Sequence, residues 1–296
     1  MNAPGLTGFL EFFPLVCTRM QPRSLEEIGA RLRRAGARAN TELGQHFLAD
    51  FSVIEKAIAA AGLVPGEQVV EVGPGLGVLS EALLDKGVEV TAFEIDPMMV
   101  RVLREDLPAL RVVPGDVLIK APEVLAQLGV YKVVANIPYQ ISSPLLKLFL
   151  ETDVPRPISL TMLIQKEMGE RLAAKAGDSA RSFISILIEL QCEVSIVCKV
   201  PPSAFVPPPA VDSVVVHIKV RETPLVMPEL QRDFLRFIKV SFLGRRKQLK
   251  NVLAGIRGCG HEEMGDVLES LGLLRSARAQ ELSLDSWLAL YTKFYP

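Results

Sequence analysis

Four consecutive residues, Asn136-Ile137-Pro138-Tyr139, bring together a side-chain amide, a rigid backbone carbonyl and an aromatic ring at the end of the apolar run Lys132-Val133-Val134-Ala135. That set suits an exocyclic aromatic amine such as adenine's, which has two N–H donors and a lone pair drained into its ring. The side-chain carbonyl of Asn136 and the backbone carbonyl of Pro138 can accept both protons while Tyr139 stacks on the base. Binding of this kind activates the nitrogen. A turn closing a strand uses the same residue types, so the reading needs support from elsewhere in the chain.

That support lies upstream. In Glu71-Val72-Gly73-Pro74-Gly75-Leu76-Gly77 the glycines permit a tight turn and close backbone approach to a ligand at a helix N-terminus. Their spacing is not the Gly-x-Gly-x-x-Gly of dinucleotide binding, which argues against a nicotinamide dehydrogenase. An acidic, glycine-rich turn suits a cationic amino acid moiety better than a phosphate. Glu94, 19 residues beyond Gly75, can take both hydroxyls of a ribose, and Asp116, after Gly115, can accept an adenine amine. Taken singly, these acids read equally as strand-end or capping residues. At successive strand ends, with Asn136 ending a fourth, they define one crevice, and the ligand the set implies is S-adenosyl-L-methionine.

The elements that must position these residues follow from periodicity. From Gln45 short apolar runs alternate with helical stretches, the pattern of a doubly wound parallel sheet. Strands are predicted over 68–73, 88–94, 110–113, 132–136 and 158–164, with helices between them. A helix reaching Gln191 then precedes strands 192–200 and 213–220, which can pair antiparallel. The prolines between them, Pro201-Pro202 and Pro207-Pro208-Pro209, resist regular structure. Beyond about Arg221 only helical patterns remain. The fold class is therefore α/β, a Rossmann-like sheet over 37–220 followed by a small all-helical domain over 221–296. Residues 1–36, with no strand pattern and with Arg31, Arg33 and Arg34, read as a poorly ordered extension, Met20 being an alternative start.

Composition bounds the function classes. The 296 residues are 49% hydrophobic and 23% charged, enough for a sizeable core, and the net charge of -1 gives no global attraction to nucleic acid. Any RNA contact must come from local basic patches. Four cysteines without a Cys-x-x-Cys pair and three unclustered histidines point to a reducing compartment and no metal site. No apolar run reaches membrane-spanning length, and Gly8 to Val16, interrupted by Glu11, makes a poor signal peptide. A cytoplasmic location without membrane contact is expected.

Assembled, these segments resemble the ribosomal RNA small-subunit adenine N6,N6-dimethyltransferase family over roughly residues 38 to 290. The resemblance is carried by Leu43-Gly44-Gln45-His46-Phe47-Leu48, the Glu71 to Gly77 turn, Glu94-Ile95-Asp96, Gly115-Asp116-Val117-Leu118, Asn136 to Leu145 and Gln165-Lys166-Glu167. Further downstream it is carried by Phe205 to Ser213 and by Phe242 to Leu249. It implies a Rossmann-like S-adenosylmethionine-dependent methyltransferase sheet and an RNA-binding helical domain. His46, Leu48, Gly73, Glu94, Asp116 and Asn136 would contact S-adenosyl-L-methionine, and Asn136, Pro138, Tyr139 and Phe205 the target adenine. The activity implied is dimethylation of two adjacent adenines in the 3'-terminal hairpin loop of 16S rRNA. The implied partner is the small ribosomal subunit or its precursor, met by a monomer during subunit maturation.

Phe205 taken alone reads as well as a core ring, but the flanking prolines argue against a buried strand and for a rigid loop presenting the ring, so that Tyr139 and Phe205 clamp the base, each stack worth roughly 1–3 kcal/mol. Arg245, Arg246, Lys247 and Lys250 put four cations within six residues at the junction of two predicted helices, a candidate phosphate-binding surface that Arg236 and Lys239 extend. A solvated helix face is the competing reading. Departures from the family fall on the RNA side: Asn40-Thr41-Glu42 lacks its usual cation, Ala210 replaces a lysine, and Ala180-Arg181-Ser182-Phe183 differs from its Tyr-Gly-Arg-Leu stretch. Fewer phosphate contacts mean weaker RNA binding. Two alternatives stay open: a large-subunit rRNA adenine methylase of the resistance type, and a non-catalytic ribosome-assembly or transcription factor of the same fold.

Overall fold

The structure, a computed structural model, describes residues 25–36, 38–40, 43–151, 154–226, 228–244 and 246–295. Residues 1–24 and Thr41, Glu42 and Arg245 lie outside the described residues. The chain opens with α1 (Leu25–Arg34), β1 (Phe47–Leu48) and α2 (Phe51–Ala61), then alternates through β2 (Gln68–Val72), α3 (Val78–Leu84), β3 (Glu89–Glu94), α4 (Pro97–Asp106), β4 (Arg111–Pro114) and α5 (Val117–Leu125). β5 (Tyr131–Asn136), α6 (Ser142–Glu151), β6 (Ser159–Gln165), α7 (Lys166–Ala173) and α8 (Phe183–Gln191) follow. The sheet closes with β7 (Cys192–Val200), β8 (Phe205–Val206) and β9 (Ser213–Val220), and the rest is helical: α9 (Pro228–Leu243), α10 (Leu249–Val252), α11 (His261–Ser270) and α12 (Leu284–Phe294).

Seven strands form one sheet in the order β4-β3-β2-β5-β6-β9-β7. The first five run parallel, β9 pairs antiparallel with β6, and β7 antiparallel with β9. The near-continuous Val, Ile and Leu runs are explained by burial on both faces, since helices cover each side of a parallel sheet. Val69, Ala92 and Leu163 face a core shared with α2, α3 and α4, while Val70, Val133 and Leu160 face one shared with α5 and α6. The chain reverses its winding between β2 and β5. Their carboxyl ends therefore splay apart and leave a crevice, the topological switch point at which ligands of such sheets bind.

The helical part has its own core of Trp287, Phe234, Phe237, Leu268 and Leu290. Helix α8 belongs to both halves: Ile188 packs toward the sheet, whereas Ile186 and Leu190 pack among the C-terminal helices.

Two expectations change here. From Leu25 the supposed extension is helix α1, with Ile28 fully buried, and Arg31 pairs with Glu81 at 3.3 Å and donates to the Leu76 carbonyl at 3.2 Å. Of the arginines that suggested disorder, Arg33 and Arg34 lie on the outer face of an amphipathic helix, and Arg31 points inward. The proline-rich bridge also contains a strand: β8 pairs antiparallel with β1, Leu48 opposite Phe205, in a two-stranded sheet beside the crevice.

Gly169 on α7 shows how tightly helix and sheet meet. A Cβ there would overlap the Val214 side chain on β9 and approach Val216 to 3.2 Å. Gly169→Ala is expected to lower stability by about 1–3 kcal/mol through overpacking, read as a melting temperature several degrees lower. An unchanged melting temperature would mean α7 can slide outward at no cost.

Candidate active site

Glu94, at the end of β3, is the residue that organises the crevice. It is 4% exposed, and its carboxylate accepts the Gly75 N–H through Oε2 at 3.0 Å and the Asp96 N–H through Oε1 at 2.9 Å. Burial pushes its carboxyl up, and the two amide bonds oppose that push. The glycine turn is thereby tied to the neighbouring strand end. Gly75, at φ +56°, leaves no room for a side chain, because a Cβ would come within 2.8 Å of the Phe47 ring. Gly73, at φ +69°, has the Pro138 ring 3.2 Å from where its Cβ would stand, so the two ends of the switch point touch.

A cavity of about 210 Å³ opens at this point, with Gly73, Glu94, Gly115, Asp116 and Pro138 in its walls. Gln45, Ile95 and Gln140 also line it. These three were not singled out from sequence, although each lies inside a quoted motif. Gln45 donates to Asp96 at 2.8 Å, and so holds the segment before β1 against the end of β3. Asp116 does what its position permits in any protein: it caps α5, accepting the Leu118 N–H at 2.9 Å through Oδ1. The capping oxygen fixes the carboxylate at the cavity wall. Two carboxylates in one wall suit hydroxyls and an amine.

Glu71 corrects the electrostatic expectation for the turn. It is 1% exposed, points toward α3 and bonds to Ser80 Oγ at 2.5 Å. Desolvation by burial raises its pKa to about 8, against the smaller lowering effect of Ser80, and nearby Glu94 adds to the rise. A carboxyl so placed holds its proton at neutral pH. Glu71 therefore adds no full negative charge to the turn, and the acids that line the cavity are Glu94 and Asp116.

Asn136 ends β5, and its Nδ2 donates to the His46 backbone carbonyl at 3.2 Å. A carbonyl can only accept, so this bond fixes which end of the amide is nitrogen and leaves Oδ1 as an acceptor. The Pro138 carbonyl accepts the Ile141 N–H at 3.1 Å within a 3-10 turn, which uses one of its two lone pairs. Tyr139 is half-buried, bonds to Ser213 Oγ at 2.6 Å and lies nearly parallel to the His46 ring at 6.2 Å. His46 Nδ1 meets the Pro207 carbonyl at 2.8 Å and therefore carries the proton of that bond.

Not all expected site residues meet in the cavity. Leu48 is 8% exposed in β1, and His46, Asn136 and Tyr139, which contact one another, flank Pro138 without lining the cavity wall themselves. Phe205 is 2% exposed within β8 and packs in the sheet core. The expectation of a free ring on a rigid loop fails there. The prolines flank the two-residue strand instead of breaking it, and the ring has no open face. Among the described cations, Arg246 and Lys247 are exposed and Lys250 half-exposed where α9 gives way to α10, with Leu249 fully buried beneath them. Arg245 lies outside the described residues. Arg181 is no RNA contact: it is fully buried, paired with Glu189 at 2.8 Å and bonded to the Ala174 carbonyl.

Residues 36–295 match the family described as ribosomal RNA adenine dimethylase. The chain is similar to Ribosomal RNA small subunit methyltransferase A of Thermosynechococcus vestitus, 41% identical over 261 residues, which is 86% of this chain and 96% of the relative. The protein of the same name from Dehalococcoides mccartyi is 38% identical over 261 residues, covering 87% of this chain and 89% of the relative. Among solved structures, 23S rRNA methyltransferase ErmE matches with a TM-score of 0.70 at 28% identity, covering 84% of this chain and all of that one. A dimethyladenosine transferase from Plasmodium falciparum matches with a TM-score of 0.69 at 29% identity, covering 84% and 98%.

The buried acid makes a prediction for stability. In the unfolded chain Glu71 ionises above its ordinary value near 4.5, while in the folded chain it stays protonated to about 8. The folded state binds the extra proton across that window, so stability contributed by the site is full below the lower value and is lost as pH rises through the upper one. Glu71→Gln is expected to flatten the fall in melting temperature between about pH 5 and pH 8, and to melt above the parent at pH 8. Parallel curves for the two proteins would show that the carboxyl is ionised in the fold.

Proposed function

The chain belongs to the ribosomal RNA adenine dimethylase family, and we propose that it dimethylates two adjacent adenines in the 3'-terminal hairpin loop of 16S rRNA during small-subunit maturation. The family and its structural neighbours are methyltransferases, which implies use of S-adenosylmethionine. The observation that carries the site assignment is the orientation of Asn136, whose nitrogen is committed to the His46 carbonyl and whose oxygen is left to accept an amine proton.

The residues present fit the cofactor. Glu94 and Asp116 at successive strand ends suit ribose hydroxyls and the adenine amine, and the glycine turn between β2 and α3 allows close approach of an amino acid moiety. When bound, S-adenosylmethionine supplies an electrophilic methyl group on a positively charged sulfur. The protein's part is placement. Asn136 Oδ1 and the remaining lone pair of the Pro138 carbonyl accept the target N–H groups, which holds the nitrogen in line and stabilises the positive charge it gains. Tyr139 stacks on the base. No dedicated base is required, because an N-alkylated aromatic amine is acidic enough to lose its proton unaided.

The helical residues 221–296 hold rRNA in this reading, with Arg246, Lys247 and Lys250, and Arg245 beside them in sequence, on phosphates. Small-subunit choice is supported by the names of relatives 38% to 41% identical to the chain. The fold alone does not separate the two subunits, since a 23S rRNA enzyme superposes as well as a dimethyladenosine transferase.

Transfer of labelled methyl groups to purified small and large subunits, with the modified nucleoside identified, tests the proposal. Dimethyladenosine on small subunits alone is expected, and Asn136→Ala is expected to slow single-turnover transfer at least about a hundredfold, the scale of losing a group that orients and stabilises the reacting centre. Label on large subunits would move the chain to the resistance-type reading. Unimpaired transfer by the variant would remove Asn136 from the chemistry.

A further inference from the structure

The reaction needs Tyr139 to offer a ring in one fixed plane, yet the residue sits in a single 3-10 turn on the rim of the crevice and is only half-buried. A short turn does not hold a ring by itself. What holds it comes from two strands away: Ser213 Oγ bonds the phenol at 2.6 Å. Ser213 is fully buried and opens β9, paired with Gln165 of β6 on one side and Val200 of β7 on the other. Its backbone is thus fixed by two strands, which makes its hydroxyl one of the most rigid anchors near the crevice. The opposite constraint is the His46 ring, 18° from parallel with Tyr139 and tethered to the Pro207 carbonyl. Pro207 and Ser213 belong to the same segment, so the bridge between β7 and β9 grips Tyr139 at two points.

We propose that Ser213 is a positioning residue for the target base, acting through the Tyr139 hydroxyl to set the plane of the ring on which the base stacks. The role rests on the reading of Tyr139 as the stacking ring. It gives a buried strand residue, 74 positions away in sequence, a share in the methyl-transfer rate without contact to either reactant. It also accounts for a tyrosine in this turn: a phenylalanine ring would fill the same space without being held.

The test is a double-mutant cycle. Single-turnover methyl transfer to small subunits at saturating cofactor would be measured for the parent, Ser213→Ala, Tyr139→Phe and the double variant, beside melting temperature and cofactor affinity by calorimetry. Each single variant is expected to slow transfer by about tenfold, the scale of one lost hydrogen bond, with cofactor affinity unchanged. The double variant is expected to be no slower than the slower single one, because both remove the same interaction. Ser213→Cys, which preserves packing and keeps a weak donor, is expected to fall between parent and Ser213→Ala. If Ser213→Ala slowed the Tyr139→Phe protein by the same factor again, the serine would act by another route. A lower melting temperature at an unchanged rate would make the bond a purely structural one. An unchanged rate in Tyr139→Ala would remove the base-stacking reading itself, and the role of Ser213 with it.

Discussion

A single buried carboxylate ties the active end of this molecule together. Glu94 spends one oxygen on the Gly75 amide and the other on the Asp96 amide, so the turn after β2 and the turn after β3 cannot move independently. The arrangement is costly for a group pushed toward its neutral form by burial, and the backbone amides of Asp96, Gly75 and Ile95 offset that cost. The glycines follow from it: a side chain at position 75 would strike Phe47, and one at 73 would strike Pro138. Asp96 and Asp116, which cap α4 and α5, extend the same design to the next strand ends. Asp116 also lines the cavity, whereas Asp96 holds Gln45, which does.

The amine side of the site is built by a different device. β1 and β8 are too short to be stable alone, and their pairing brings the segment around His46 against the end of β5. The His46 carbonyl then fixes the Asn136 amide while its ring backs Tyr139. In the proposed assignment, cofactor-facing and amine-facing groups belong to separate supports, a parallel-sheet switch point and a two-stranded clasp, that meet where Pro138 lies against Gly73. Positioning two reactants to within tenths of an ångström requires both supports to be rigid, which explains the density of proline and glycine around the crevice.

Much of this was legible in the sequence, for physical reasons. Strands buried on both faces demand unbroken runs such as Lys132 to Ala135, and acids at their ends stand out against that background. The same reasoning failed where tertiary packing decides. Phe205 looked like an exposed ring because its prolines suggested a loop, yet two hydrogen-bonded residues beside β1 suffice to bury it. The stretch around Arg181 looked like a departure that weakens RNA binding, but the arginine itself is buried and paired with Glu189, eight residues on, within the fold. Glu71 looked charged, and only its complete burial behind the turn, which outweighs the hydrogen bond from Ser80, reveals a carboxyl held toward its protonated form. Helix α1 was hidden by its arginines, since one buried stripe centred on Ile28 is too short to register beside them.

The claim on which everything else rests is that the crevice tied by Glu94 is the S-adenosylmethionine site. Calorimetric titration of S-adenosylmethionine into Glu94→Ala, with circular dichroism establishing that the variant is folded, addresses it directly. The structure leads us to expect affinity reduced by at least about tenfold, since a ligand would lose its hydroxyl acceptors and the turn would lose its tie. A folded variant that bound the cofactor as tightly as the parent would contradict the account and place the site elsewhere in the molecule.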